Sequence, residues 1–162
     1  MIVLVGFMGA GKSTIGRLLA AKLGLPFVDT DPVIEQRAGR TIKEIFATDG
    51  EPAFRALEHE VIAGLLHGPE IVLALGGGAP EHPGTRQDLK QAQVVYLHVS
   101  YEGAVGRIGA DADRPLLAQP GLLARYQRRL AIYTAVATLV VRTDGRDPDS
   151  IAQDILASLT VG

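Results

Sequence analysis

Residues Gly6-Phe7-Met8-Gly9-Ala10-Gly11-Lys12-Ser13 match the pattern G-x-x-x-x-G-K-[ST] in full. Such a loop does specific chemistry. Its glycines let the backbone wrap closely, so that N–H groups over Gly9, Ala10, Gly11, Lys12, Ser13 and Thr14 point inward at phosphate oxygens. A helix starting at Ser13 adds partial positive charge at the same place. Lys12 reaches the β and γ phosphates, and the Ser13 hydroxyl can ligate Mg²⁺. The plainer alternative is a glycine turn that only caps a helix. Lys-Ser at the required spacing, after the apolar run Ile2–Val5, argues against it.

A phosphate loop says that a nucleotide binds, not how it is used. A small-molecule kinase, a GTP-driven switch and a non-catalytic nucleotide-binding module all remain open. Guanine-selective switches read the base with Asn-Lys-x-Asp, and this chain contains no Asn and no Asp-x-x-Gly. The lack of Asn also removes the catalytic loop of a protein kinase.

Further along stand four groups able to act on an acceptor: Asp29-Thr30-Asp31, Phe54-Arg55-x-x-Glu58, Gly76-Gly77-Gly78 and Arg114-Pro115-Leu116-Leu117. By residue type alone each has a plainer reading. Asp31 can be a helix N-cap ahead of Pro32. Arg55 and Glu58 can be an exposed helix pair worth ~0.2–0.5 kcal/mol, and on spacing alone that reading prevails. Three successive glycines exceed the needs of a strand-to-loop turn.

The elements that would carry these groups follow from short apolar runs. Ile2–Val5, Phe27-Val28, Ile71–Leu75, Val94–Leu97 and Leu139–Val141 are continuous rather than alternating, as strands covered on both faces are. Helical stretches separate them, which predicts a three-layer α/β/α architecture around a central five-stranded parallel sheet. Ser13–Leu23 reads as a helix ended by Gly24. Thr41-Ile42-Lys43-Glu44 reads as a capping box. Pro52 falls in the first turn of a helix that sets Phe54, Leu57, Val61 and Leu65 on one face. Residues 109–113 read as a mobile loop. Ligands of open α/β sheets gather at the carboxyl ends of strands, and the phosphate loop, the Asp pair and the triple Gly all follow strands. One crevice should hold them.

Taken in order, these motifs resemble the shikimate kinase family, within the P-loop kinases that are similar to nucleoside-monophosphate kinases. The likeness runs nearly end to end. It implies one kinase domain over 1–162, with a mobile lid near 107–120 and a substrate-binding helical segment near 31–60. It implies ATP and Mg²⁺ as cofactors, and in-line transfer of the γ-phosphoryl group to the 3-hydroxyl of shikimate, giving shikimate 3-phosphate and ADP on the way to chorismate. By the same resemblance Asp31 holds the shikimate hydroxyls near the attacking oxygen, and Asp29 meets Mg²⁺ through water. Arg55 and Arg129 grip the carboxylate, with Glu58 holding Arg55. Gly76, Gly77 and Gly78 lie against the ring. Arg114 closes over the transferred group, while Arg107, Pro115 and Arg146 border the adenine. The chain departs from the family at Arg129-Leu130-Ala131-Ile132-Tyr133, where a proline usually stands between Arg and Tyr. The segment from Arg114 to Arg129 is also short, and Arg125 and Arg128 compete for the second clamp. A gluconate-type kinase and a non-catalytic regulator remain the rivals.

The bulk composition sets bounds. The chain has 162 residues with 47% hydrophobic, 21% charged and a net charge of -2, the balance of one soluble domain. Nothing in it suggests a nucleic-acid or membrane partner, and the family resemblance implies a monomer. Twelve of the sixteen basic residues are Arg; genome composition explains such an excess as well as the fit of a planar fork to phosphate and carboxylate does, and placement must decide. There is no Cys, which excludes a disulfide framework and thiolate chemistry. Met1–Val5 is too short for a signal h-region or a membrane span, so a cytoplasmic location is expected.

Overall fold

The computed structural model describes residues 1–109 and 121–161. Strands β1 (Ile2–Val5), β2 (Phe27–Asp29), β3 (Val72–Ala74), β4 (Gln93–His98) and β5 (Leu139–Arg142) form one sheet in the order β2-β3-β1-β4-β5. Every pairing is parallel, with Val3 opposite Leu73 on one side and Val94 on the other. All four residues of β1 are buried, and neighbours that point to opposite faces, Val3 and Leu4, are both fully so. Helices therefore cover both faces of the sheet, as the continuous apolar runs require. The run Ile71–Leu75 pairs as a strand only over Val72–Ala74, because the chain turns into the glycines beyond it.

The helices are α1 (Lys12–Leu23), α2 (Thr30–Ala38), α3 (Ile42–Asp49), α4 (Glu51–Leu66), α5 (Pro83–Asp88), α6 (Tyr101–Gly109), α7 (Leu122–Val136) and α8 (Pro148–Val161). None of the described helices is long and apolar enough to cross a membrane. Thr41 caps α3 by accepting the Glu44 N–H at 3.1 Å, and Pro52 sits in the first turn of α4. Ile34, Ile45, Phe54 and Val61 form a satellite core between α2, α3 and α4, with Leu57 and Leu65 packed against it. The apolar face of α4 thus docks it beside the sheet and sets the direction of Arg55, one residue past Phe54.

The plainer reading of Asp31, as a helix cap, does not hold. Helix α2 begins at Thr30, and its N-cap is Asp29, whose Oδ1 accepts the Asp31 N–H at 3.0 Å. Asp31 therefore lies inside the first turn and is not the cap, because Thr30 already takes helical geometry. The Asp31 carboxylate is left to do other work. Of the loop expected at 109–113, Gly109 is instead the last residue of α6, and residues 110–113 lie outside the described ones.

Candidate active site

The loop from Gly6 to Gly11 joins the carboxyl end of β1, the central strand, to the start of α1. Gly11 holds a left-handed conformation, φ 88°, at the N-cap of α1, where a side chain would be strained. Lys12 turns back over the loop and donates to the carbonyls of Gly6 at 2.6 Å and Phe7 at 3.2 Å. Burial pushes its pKa down to about 8, against the pull of Asp29 and Asp31, so it remains a cation at neutral pH. The Ala10 amide donates to the Phe7 carbonyl at 3.1 Å. That amide is thus engaged in the loop's own turn.

A cleft of about 360 Å³ opens over this loop, and Lys12, Ser13, Asp29, Asp31, Gly76 and Gly77 line it. The expected convergence of three strand ends is therefore present. Burial first, and then the neighbouring Asp29 charge, raise the Asp31 carboxyl above its ordinary range, with Lys12 opposing. Ser13 and Asp29 offer only hard oxygen donors, the kind Mg²⁺ prefers. Among the described residues no group of three or more His, Cys, Asp or Glu forms a metal cage. The donor set fits an ion that keeps much of its shell from water and phosphate.

The three glycines form a floor, and the residues above it are revealed by what a β-carbon there would meet. On Gly76 it would lie 3.2 Å from Glu58 Oε2 and 3.3 Å from Asp31 Oδ1. On Gly77 it would lie 3.3 Å from Arg129 Nη1 and 3.5 Å from the Tyr133 hydroxyl. On Gly78 it would collide with Arg55, 2.7 Å from Cζ, and stand 2.8 Å from Arg129 Nη2. Asp31, Arg55 and Arg129 come from α2, α4 and α7, yet all three meet over one tripeptide.

The Arg55–Glu58 pair is not the solvated surface pair that its spacing suggests. Arg55 Nη1 donates to Glu58 Oε1 at 2.7 Å, and their side chains are 16% and 1% exposed. Burial raises the Glu58 carboxyl, with Arg55 opposing, and Glu58 Oε2 has no hydrogen-bond partner among the described residues. The difference arises because α4 is roofed by α2 and by the glycine loop, which spacing along one helix does not show.

Of the three arginines on α7, Arg129 turns inward and is 8% exposed, whereas the Arg128 side chain is 59% exposed. Arg125 is half-buried. α7 runs without a break from Leu122 to Val136, so the missing proline leaves the Arg129–Tyr133 turn helical.

A second cleft, of about 290 Å³, lies on the other side of the loop, where Gly11, Thr14, Arg107, Thr143, Arg146 and Pro148 line it. Arg107 donates to the Gly9 carbonyl at 2.5 Å and to the Thr143 carbonyl at 3.4 Å. Arg146 pairs with Asp154 and donates to the Arg142 carbonyl at 3.2 Å. Arg107 and Arg146 are thus brought to one cleft beside the phosphate loop. Arg114 and Pro115 lie outside the described residues.

Three residues of the site escaped sequence reasoning. Thr30 is fully buried; its hydroxyl donates to the Ala74 carbonyl at 3.4 Å and accepts the Gly76 N–H at 3.3 Å. It stitches α2 to the glycine floor. Tyr133, 1% exposed, donates to the Gly77 carbonyl. Glu81 ends the 3₁₀ turn Ala79–Glu81 and pairs with Arg128 and Arg129. Thr30 and Tyr133 stand in stretches whose neighbours, Asp29, Asp31 and Arg129, carry the legible chemistry, and Glu81 has no local signal.

The model of the family described as shikimate kinase matches residues 8–160. A shikimate kinase of Thermobifida fusca is 48% identical over 162 residues, covering 98% of this chain and 94% of its own. One from Mycobacterium tuberculosis is 47% identical over 163 residues, covering 98% and 93%. The structure of a shikimate kinase from Acinetobacter baumannii in complex with shikimate superposes with a TM-score of 0.88 at 38% identity, covering 99% of this chain and 92% of that one. A gluconokinase from Sinorhizobium meliloti shares the fold, with a TM-score of 0.62 at 20% identity. A phosphate loop, a carboxylate beside it and two guanidiniums across a glycine floor agree with the family that the sequence matches along almost its whole length: this chain belongs to the shikimate kinase family.

Proposed function

We propose that this chain transfers the γ-phosphoryl group of ATP to the 3-hydroxyl of shikimate, giving shikimate 3-phosphate and ADP. The observation that carries the reading is the order of charges along one floor. Arg55 and Arg129 stand over Gly78, Asp31 stands over Gly76, and Lys12 borders the same cleft. A ring with a carboxylate at one end and hydroxyls at the other fits that order. The two guanidiniums grip the carboxylate through paired hydrogen bonds, which leaves the hydroxyl end beside Asp31 and the phosphate loop.

The chain's own residues then position and neutralise. The 3-hydroxyl oxygen attacks the γ-phosphorus, and Asp31 accepts or orients its proton. The bond to the β–γ bridging oxygen breaks, and ADP leaves. A carboxyl raised by burial is better matched to accepting that proton near neutral pH. Lys12 shifts from its loop carbonyls to the phosphate oxygens, where its charge is better compensated. Bound Mg²⁺ supplies further neutralisation of phosphate charge; Ser13 would hold it directly and Asp29 through water. The second cleft, with Arg107 and Arg146, takes the adenosine, and Gly9–Thr14 takes the phosphates. Arg114 as a closing arginine and Pro115 as part of the adenine wall are assigned by the family resemblance. By the same resemblance the enzyme works in the cytoplasm, as a monomer, on small molecules.

Coupled ADP release with shikimate and with gluconate tests the reading. Turnover is expected with shikimate. Turnover with gluconate alone would overturn the acceptor, and nucleotide binding without turnover of either acid would favour a non-catalytic role. Gly78→Ala gives a finer check. The added methyl must displace the ends of Arg55 and Arg129, so KM for shikimate should rise about tenfold or more while KM for ATP holds. Steady-state kinetics with each substrate varied in turn would show it.

A further inference from the structure

Two like charges converge on Gly78, and each needs a counter-charge from its own side. Arg55 has Glu58 on the same helix, three residues on, at 2.7 Å. Arg129 has no such neighbour on α7. Among the described residues the one carboxylate at ion-pair distance from it is Glu81, whose Oε2 stands 3.4 Å from Arg129 Nη2. The other oxygen, Oε1, accepts from Arg128 Nε at 2.8 Å. Glu81 is thus fixed by the tighter bond to the exposed Arg128, and leans its second oxygen on the buried Arg129. Its place in the chain adds leverage, since it follows directly from the glycine floor and reaches α7 across 47 and 48 residues of sequence.

We propose that Glu81 is the positioning residue of the second carboxylate clamp: it holds the Arg129 guanidinium over Gly77 and Gly78 from the side away from the substrate. The inference rests on Arg129 acting as that clamp. The long 3.4 Å contact suits the role, because it orients a guanidinium without occupying all of its donors. Arg129 Nε is buried and has no hydrogen-bond partner among the described residues, so Glu81 is the polar group that orients its guanidinium. Burial works against the Glu81 charge. The Arg128 hydrogen bond and the charges of Arg129, Arg128 and Arg55 outweigh it and hold the carboxyl below its ordinary range. Glu81 therefore stays ionised at neutral pH.

The test compares Glu81→Gln, Glu81→Asp, Arg129→Ala and the double variant Glu81→Gln/Arg129→Ala by steady-state kinetics, with thermal unfolding as a check that each is folded. Glu81→Gln keeps the size and loses the charge. It should raise KM for shikimate about tenfold, with kcat and KM for ATP within about twofold of the parent. Glu81→Asp should restore part of the loss. In the double variant the Glu81 change should add nothing to Arg129→Ala, because its effect passes through Arg129. An unchanged KM in Glu81→Gln beside a raised KM in Arg129→Ala would overturn the positioning role and leave the clamp standing. A lowered KM would overturn it too, by showing that Glu81 competes with the substrate. So would full additivity in the double variant. No effect of Arg129→Ala itself would instead sink the clamp reading on which this rests.

Discussion

Lys12→Ala is expected to lower kcat by about 10²–10³ while the protein stays folded. The side chain lies where developing phosphoryl charge must be met, and removing one such preorganised donor costs about that much. In the structure its ammonium rests on the Gly6 and Phe7 carbonyls. Those bonds are local to the loop, and the sheet beneath is held by residues such as Val3, Leu4 and Leu73, all fully buried. Far-ultraviolet circular dichroism should therefore match the parent, and the unfolding midpoint should move little. Burial of an ammonium opposes folding, so its loss can even offset the lost hydrogen bonds. Single-turnover measurement of ADP formation separates this from weak nucleotide binding. Normal turnover in the variant would remove the phosphate loop from the mechanism.

The second large effect is expected at Arg55. Arg55→Ala should raise KM for shikimate about a hundredfold, because a buried charged partner is lost from a carboxylate, and leave KM for ATP nearly unchanged. It should also cost stability, about 3 kcal/mol, since Glu58 would be left buried without its cation. The pH dependence has a definite sign. Burial already raises the Glu58 carboxyl against the pull of Arg55, and removing Arg55 raises it further. A folded-state pKa above the unfolded one means that the native state binds the extra proton. Its stabilising effect is complete below the unfolded value and is lost as pH rises through the folded value. The variant should therefore be more penalised at pH 8 than at pH 5 in urea denaturation. Glu58→Gln added to Arg55→Ala should flatten that slope and recover stability, yet leave shikimate binding impaired. Equal loss of ATP and shikimate affinity would refute the clamp. A stability change independent of pH would refute the buried-carboxylate account.

These two residues differ in how far the amino-acid order alone could place them. Lys12 belongs to a motif whose members are chain neighbours, so peptide geometry sets their distances and the strand before them sets their direction. The five strands were legible for a similar reason: a run such as Ile2–Val5 or Val94–Leu97 has one plausible environment, a sheet covered on both faces. The helix caps at Thr41 and the first-turn proline of α4 are likewise local. Even there one detail shifted. Asp29 and not Asp31 caps α2, because both carboxylates satisfy the cap rule and only the start of helical geometry at Thr30 chooses between them.

What only the tertiary structure decided is which polar groups are dry. Arg55 and Glu58 have the spacing of a solvated pair, but packing by α2 and the glycine floor buries them. Arg125, Arg128 and Arg129 are equivalent as residue types, and the rotation of α7 against β4 and the Ala79–Glu81 turn selects Arg129 for burial. Thr30, Tyr133 and Glu81 reach their partners across 44 to 56 residues of chain. The order of residues names these side chains and their chemistry. Burial and counter-charge, which give that chemistry its strength, depend on surfaces supplied from distant parts of the chain and exist only once the sheet has assembled.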